Sequence, residues 1–150
     1  MPRNLGGFGE LLAGIGSAEF RRMAGFRRHE DSDVYQLADA AREHVLRVVK
    51  QPAFARHFKL VEQILKSSNS ACANMAEGFS RYLPGDHARF LRIAKASLSE
   101  TIEHIKDARL RGVVSGEDEK TIASLCRRSR GACIGLIRYL DGLDGPPGGA

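Results

Sequence analysis

The amino-acid sequence predicts an all-α fold, an antiparallel up-down-up-down four-helix bundle, on three observations. Apolar residues recur at steps of three and four along the centre of the chain, the spacing of packed helices. Of the 16 glycines only six lie in residues 31–141, where Pro52 and Pro84 are the only prolines. The sequence also lacks the alternation of apolar and polar residues that would predict strands.

The first helix is predicted from about Asp33 to Gln51, because Pro52 lacks a backbone N–H and ends it. Its inward positions are Val34, Leu37, Ala41, Val45 and Val48. The second helix is predicted from Phe58 to Phe79 with a heptad seam. That seam contains Phe58, Val61, Leu65, Ser68, Cys72, Met75 and Phe79.

The third helix is predicted to begin after Pro84, with Asp86 as its N-cap, and to stop at Gly112. Its seam contains Phe90, Ala94, Leu98, Ile102 and Ile105. The fourth helix opens at Ser115, whose spacing to Asp118 resembles a capping box. Its seam contains Ile122, Leu125, Ser129, Ala132, Leu136 and Leu140. Short connections favour antiparallel neighbours.

The two ends of the chain differ in composition from its centre. Residues 1–30 are rich in glycine and lack the features of a secretory signal, so we expect a flexible or mis-annotated extension, with translation beginning at Met1 or at Met23. Residues 142–150 are predicted to be a disordered tail. The four-helix bundle domain then covers residues 31–141.

A second apolar series accompanies the predicted seams: Leu46, Val49, Leu60, Ile64, Leu91, Ile134 and Ile137. These positions either widen the buried stripe of each helix or form a contact between subunits. Both interpretations stay open from the sequence. Because the seams contain many small residues and the chain has no Trp, burial of a second face would add stability, and we expect a homo-oligomer.

A polar stripe runs along the second helix, with members at steps of three and four: Ser67, Ser70, Asn74, Glu77 and Arg81. Serine and asparagine are indifferent helix formers, so this concentration in mid-helix needs a reason. Small polar residues let another helix lie close, and Glu77 and Arg81 form an i,i+4 pair. A polar binding face is the alternative, and the residues alone favour the structural role.

Motifs in the same region resemble a known family. The run from Asn74 to Arg81, preceded by Ser70, is similar to S-x-x-x-N-I-A-E-G-x-x-R, and the run from Phe90 to Glu100 is similar to F-x-x-x-A-x-x-S-x-x-E. Asp33–Ala38 is similar to the opening helix, with Tyr35 at a usually aromatic position. These motifs characterise the four-helix bundle family named for intervening sequences of 23S ribosomal RNA genes, and the resemblance covers about residues 31–140.

The resemblance implies a pentameric bundle, and distant relatives that assist retroelement reverse transcriptases bind nucleic acid through a basic surface. The motif residues carried over are Ser70, Asn74, Glu77, Gly78 and Arg81. The family often has a proline two residues before the asparagine, where this chain has Cys72, so the resemblance does not carry over a kink in the second helix.

Basic residues concentrate on the third and fourth helices, in a chain whose formal net charge is +5. The candidate nucleic-acid-binding residues are Arg89, Arg92, Lys95, Arg127, Arg128 and Arg130. If the two helices are neighbours, these cations form one band that neutralises phosphates. The alternative is a solvated face that serves solubility only. No motif for reading a base sequence is present, so binding is expected to be non-specific.

Other chemistries find little support in the sequence. The five histidines are dispersed, and no metal-ligand spacing, carboxylate cluster or phosphate loop is present, so we expect no enzyme, metal, cofactor or small-molecule substrate. No apolar run reaches the length of a membrane span. Cys126 and Cys133 lie seven residues apart on one helix, too far to bridge, and three reduced cysteines indicate the cytoplasm.

These observations predict a non-catalytic, oligomeric helical-bundle protein that binds RNA or DNA, as an accessory to nucleic-acid processing. A structural or protein-partner module without nucleic-acid binding is the alternative.

Overall fold

The computed structural model describes residues 29–143, which fold into four α-helices without a strand. The helices are α1 (Asp33–Val48), α2 (Phe58–Ser80), α3 (Pro84–Leu110) and α4 (Gly116–Leu143), with short 3-10 turns at His29–Asp31 and Pro52–Phe54. The all-α prediction is confirmed. Gly142 and Leu143, which the sequence assigned to the disordered tail, are instead the last residues of α4. The predictions for the first 28 residues, including the start at Met1 or Met23, and for residues 144–150 lie outside the described residues.

The ends of α1 follow from its flanking residues. Ser32 caps the helix, because its Oγ accepts a hydrogen bond from the backbone N–H of Tyr35 at 3.2 Å. The helix stops at Val48, three residues before the predicted Gln51. Gln51 has an extended backbone, the conformation favoured before a proline, and so cannot continue the helix.

The connection between α2 and α3 differs from the prediction. Leu83 is the N-cap of α3 with an extended backbone, and Pro84 is the first helical residue. The prediction that Asp86 caps this helix is therefore wrong. Proline at the first position needs no N–H partner, so the helix begins three residues earlier than an Asp86 cap would place it. Asp86 lies in the first turn, where its negative charge interacts favourably with the positive end of the helix dipole.

The predicted boundary between α3 and α4 is confirmed. Gly112 follows the end of α3 with φ at +73°, a left-handed backbone conformation that residues other than glycine rarely adopt. Ser115 then caps α4, because its Oγ accepts from the backbone N–H of Asp118 at 3.0 Å and donates to the Asp118 carboxylate at 3.0 Å.

Each helix packs against its neighbours along the chain, and α1 also packs against α4, so the four enclose one apolar core. The most deeply buried larger side chains come from all four helices and the first connection: Val45, Val48, Phe54, Ile64, Met75, Leu91, Leu98, Ile105 and Ile122. Ser129 of α4 also reaches α1, where its hydroxyl donates to the Val34 carbonyl at 2.7 Å.

The buried face of α2 departs from the predicted heptad seam. Phe58 is 77% exposed, whereas Leu60 and Ile64 are only 3% and 0% exposed. The buried positions of this helix repeat every 3.6 residues, and a straight helix drifts by about 20° per heptad from a strict seam. The prediction that Phe58 faces the core is wrong.

The second apolar series is therefore divided in the structure. Leu60, Ile64, Leu91 and Ile137 are buried within the single chain, which supports the interpretation that they widen the core. Leu46 and Ile134 remain exposed.

The cysteines Cys72, Cys126 and Cys133 are buried and free, as predicted. Burial raises the thiol pKa to about 11 for Cys72 and about 12 for the other two, so these side chains act as small apolar residues. None of the helices in residues 29–143 combines the length and apolar character needed to cross a bilayer.

Candidate nucleic-acid interface

The polar stripe of α2 contacts α3 within the same chain. Ser70 Oγ lies 2.9 Å from Ser97 Oγ, and the Thr101 hydroxyl donates to Ser67 Oγ at 2.8 Å. Asn74 donates to the Ser70 carbonyl at 2.8 Å and to its hydroxyl at 3.2 Å, which fixes the Ser70 side chain. Because these hydroxyl side chains are small, the two helices can lie close together. The hydroxyl groups in the buried contact are nevertheless hydrogen-bonded.

Gly78 lies at a close approach between α2 and α3. A Cβ at this position would lie 2.9 Å from His87 Cδ2 and 3.3 Å from the His87 carbonyl oxygen. His87 is 7% exposed and packs at 4.6 Å from the Phe79 ring. Burial lowers the pKa of His87 to about 4, and its Nε2 has no hydrogen-bond partner. The imidazole is thus held neutral near pH 7.

The last residues of the polar stripe lie at the exposed end of α2. Glu77 and Arg81 form an ion pair at 2.8 Å. The Arg81 guanidinium also lies 4.7 Å from the centre of the Phe90 ring, and that of Arg89 lies 4.6 Å from the same ring. Arg89 therefore lies at the α2–α3 connection.

Three of the predicted binding residues lie between α3 and α4. Arg92 pairs with Asp141, and Arg130 donates to Ser99 Oγ at 3.1 Å. Lys95 is near enough to α4 for its charge to oppose the effect of burial on the pKa of Cys133. The structure thus brings Arg92, Lys95 and Arg130 together.

The other predicted residues on α4 occupy different positions. Arg127 is exposed. Arg128 faces α1, where it lines an open cleft of about 340 Å³ together with Asp33, Gln36 and Leu37. The structure therefore separates Arg89 and Arg128 from the remaining cations, and the six predicted residues do not form one continuous band.

The charge distribution along α4 is strongly one-sided. Between Glu119 and Asp141 the helix has no acidic residue, and its basic residues are Lys120, Arg127, Arg128, Arg130 and Arg138. By helical spacing, Arg127, Arg130 and Arg138 lie on the side of α4 next to α3. We call these three residues, with Lys95 of α3, the α4 basic surface. Within residues 29–143 no carboxylate forms an ion pair with any of the four.

Tyr82 is a surface feature that the sequence predictions did not include. It lies in the three-residue connection between α2 and α3 and is 92% exposed. The only sequence signal is an aromatic residue two positions before the helix-starting Pro84, and that pattern does not distinguish a buried ring from an exposed one.

A histidine–carboxylate pair lies at the other end of the bundle. His44 Nε2 lies 2.8 Å from Asp118 Oδ1, and its Nδ1 lies 3.1 Å from Arg47. The His44 hydrogen bond is the largest cause of the lowered pKa of Asp118. Ser115 donates to Asp118 rather than to the histidine, so these three side chains do not follow the Ser-His-Asp order of a catalytic triad. Residues 29–143 also contain no cluster of three metal-ligating side chains.

The fold defines an all-α protein built from four packed helices. Residues 30–133 match the family model described as 23S rRNA-intervening sequence protein. The match covers more than half of the chain, which belongs to this family, and the resemblance found in its motifs is confirmed. Comparison with curated proteins finds no match.

Proposed function

We propose that this chain is a non-catalytic, homo-oligomeric bundle protein that binds RNA or DNA non-specifically through the α4 basic surface. The observation that carries the proposal is the acid-free run of α4, whose outward arginines have no carboxylate partner among the described residues. Unpaired cations on a rigid helix attract phosphates and release their counterions. The family description, which refers to 23S rRNA, is compatible with an RNA-related role.

The proposed binding mode is electrostatic and independent of base sequence. Arg127 and Arg138 lie about 16 Å apart along the helix by its rise per residue, so together they span several phosphates of a strand. Lys95 of α3 and Arg130 of α4 are half-buried, and they contribute from the boundary between these two helices. Such contacts position a nucleic acid without identifying its bases, which fits an accessory role in RNA or DNA processing.

We infer an antiparallel up-down-up-down order for the helices and assembly into a homo-oligomer, a pentamer by resemblance to the family. The contacts between α3 and α4 support the antiparallel order, because Arg92 meets Asp141, Ser99 meets Arg130 and Arg109 meets Glu119. Leu46 and Ile134, which stay exposed in the single chain, are available for a subunit contact. The free buried cysteines support a cytoplasmic location.

A charge-reversal experiment tests the binding surface. The double variant Arg127→Glu and Arg138→Glu should weaken binding of a labelled RNA at low salt by at least about tenfold, because two phosphate contacts become repulsive. Lys59→Glu with Lys66→Glu is the matched control, since it makes the same charge change on exposed sites of α2, which packs against α1 and α3. Fluorescence anisotropy measures binding, and circular dichroism verifies folding.

Equal losses in the two double variants would mean that only net charge matters and would contradict the assigned surface. If the unaltered protein does not bind RNA or DNA even at low salt, the protein-partner module replaces the nucleic-acid hypothesis.

A further inference from the structure

The connection between α2 and α3 presents an aromatic ring to solvent. Tyr82 is 92% exposed, and Leu83 beside it is 59% exposed. Arg81 and Leu83 both have extended backbones, and Pro84 fixes the start of α3, so the chain holds Tyr82 at the end of the bundle. An exposed tyrosine ring does not contribute the free energy that its burial would give. Such exposure is unusual for so large a side chain.

The residues that flank this connection, Arg81 before it and Arg89 and Phe90 in the first turns of α3, form an ordered cationic and aromatic group. The guanidiniums of Arg81 and Arg89 both stack on the Phe90 ring, at 4.7 and 4.6 Å from its centre. Glu77 pairs with Arg81, and Asp86 lies in the first turn of α3, so opposite charges at this end are balanced. The attraction of phosphates must therefore come from elsewhere, and what this connection adds is an accessible ring, Tyr82, at the same end of the bundle as the two guanidinium groups.

Beyond Arg89, the next cations of α3 lead from Tyr82 towards the α4 basic surface. Arg92 and Lys95 follow Tyr82 by ten and thirteen residues, which is about 15–20 Å along the helix. A nucleic-acid strand whose phosphates lie on that surface would bring a base to the end of the bundle. A paired base presents its face only at the end of a duplex, whereas an unpaired base can turn its face onto a side-chain ring.

We propose that Tyr82 stacks on an unpaired base of RNA or DNA and gives this protein a preference for single strands over duplexes. The inference rests on the proposed function, since the α4 basic surface holds the phosphates. Stacking on a tyrosine is insensitive to base identity, because every base has a π-face, so the preference is for strand state rather than sequence. The exposed guanidinium planes of Arg81 and Arg89 favour this occupant over a second copy of the chain, since an apolar subunit contact would desolvate both charges.

The test compares two probes and three variants by fluorescence anisotropy at low salt. The probes are a labelled twelve-nucleotide oligouridylate and an RNA duplex of the same length. Tyr82→Ala should weaken binding of the oligouridylate about 5- to 100-fold, the loss typical for removal of one stacking contact, and should leave duplex binding unchanged. Tyr82→Phe keeps the ring and should bind like the unaltered protein. Leu83→Ala removes a neighbouring exposed apolar side chain and should have no effect.

The salt dependence separates stacking from phosphate contact. Tyr82→Ala should leave the slope of log affinity against log salt unchanged, because no phosphate contact is lost, whereas Arg127→Glu with Arg138→Glu should make the slope shallower. If the unaltered protein binds both probes and Tyr82→Ala binds the oligouridylate equally well, the stacking role is refuted while the proposed function stands. If the unaltered protein binds neither probe, both fail. A Tyr82→Ala protein with a smaller particle mass and unaltered affinity would assign Tyr82 to a subunit contact and overturn the proposal.

Discussion

The glycines of this protein differ in the space available for an added Cβ. Substitution of glycine by alanine is therefore expected to change the free energy of unfolding in opposite directions at different sites. Gly78→Ala should lower the free energy of unfolding by about 1–3 kcal/mol, because the added carbon would lie 3.3 Å from the backbone oxygen of His87. Gly131→Ala on α4 should raise it by about 0.5–1 kcal/mol, since nothing lies within 4 Å of that site and alanine favours the helix. Urea unfolding at equal protein concentration measures both changes.

Gly135→Ala is the matched control for Gly131→Ala, because its surroundings are also open. A Gly78→Ala protein as stable as the unaltered chain would show that α3 moves aside without cost, and the tight α2–α3 approach would then have no energetic role.

His87 predicts an acid-dependent loss of stability. Its folded pKa of about 4 lies below the ordinary 6.5, so between these values the unfolded chain binds a proton that the folded chain does not. Stability should be complete above pH 6.5 and fall by about 2–4 kcal/mol as the pH approaches 4. Urea unfolding across this range should show a flatter profile for His87→Leu, which cannot take up a proton.

The control for the pH experiment is His104→Leu, on the same helix, which should keep the steep profile. Identical slopes for His87→Leu and the unaltered chain would contradict the assignment of this acid sensitivity to His87.

At the scale of helices, the hydroxyl contact between α2 and α3 predicts an energetic coupling. Thr101 Oγ1 lies 2.8 Å from Ser67 Oγ and 2.9 Å from the Ser97 carbonyl oxygen, so its single proton is shared between these two acceptors. Ser67→Ala and Thr101→Val should each destabilise the fold by about 1 kcal/mol, and their double-mutant cycle should give a coupling of about 0.5–1.5 kcal/mol. Thermal or urea unfolding of the four proteins measures it.

Ser67→Ala combined with Ser115→Ala is the control cycle, because these two hydroxyls share no partner and their effects should add. Additive effects of Ser67→Ala and Thr101→Val would show that the 2.8 Å contact contributes nothing specific.

The helix boundaries show how much of the fold could be predicted from the sequence. Gly112 and Ser115 were correctly placed, because a left-handed glycine and a capping hydroxyl act through their immediate neighbours. Asp86 was misplaced as a cap, since Pro84 can itself begin a helix. The predicted heptad seam was wrong at Phe58, which is exposed. The position of α3 determines which side of α2 is buried, and no local pattern in the sequence gives that position.

The surface was less predictable than the core. Arg92, Lys95 and Arg130 come together because both helices carry them on adjoining sides, which helical spacing indicates. Arg89 and Arg128 face other neighbours, Phe90 in one case and the α1 cleft in the other, and only the packed structure reveals these directions. The exposure of Tyr82 likewise depends on how the α2–α3 connection closes.

At the scale of the whole molecule, we expect assembly beyond one chain. Light scattering at micromolar concentration should give a multiple of the 16.4 kDa chain mass, five-fold if the family resemblance holds for assembly. Leu46→Asp with Ile134→Asp should reduce the mass if these exposed residues form the contact, with Phe58→Asp as an exposed control. A 16 kDa particle from the unaltered protein would refute the assembly.

The central claim, that this helical protein holds phosphates through the α4 basic surface, is tested most directly by the salt dependence of RNA binding. For a single strand, phosphate contacts from the four cations of this surface predict a slope of about −3 per chain for log affinity against log salt. Retention at low salt with such a slope, made shallower by Arg127→Glu with Arg138→Glu, is the result expected. Absence of binding at every salt concentration, or affinity independent of salt, would contradict the account.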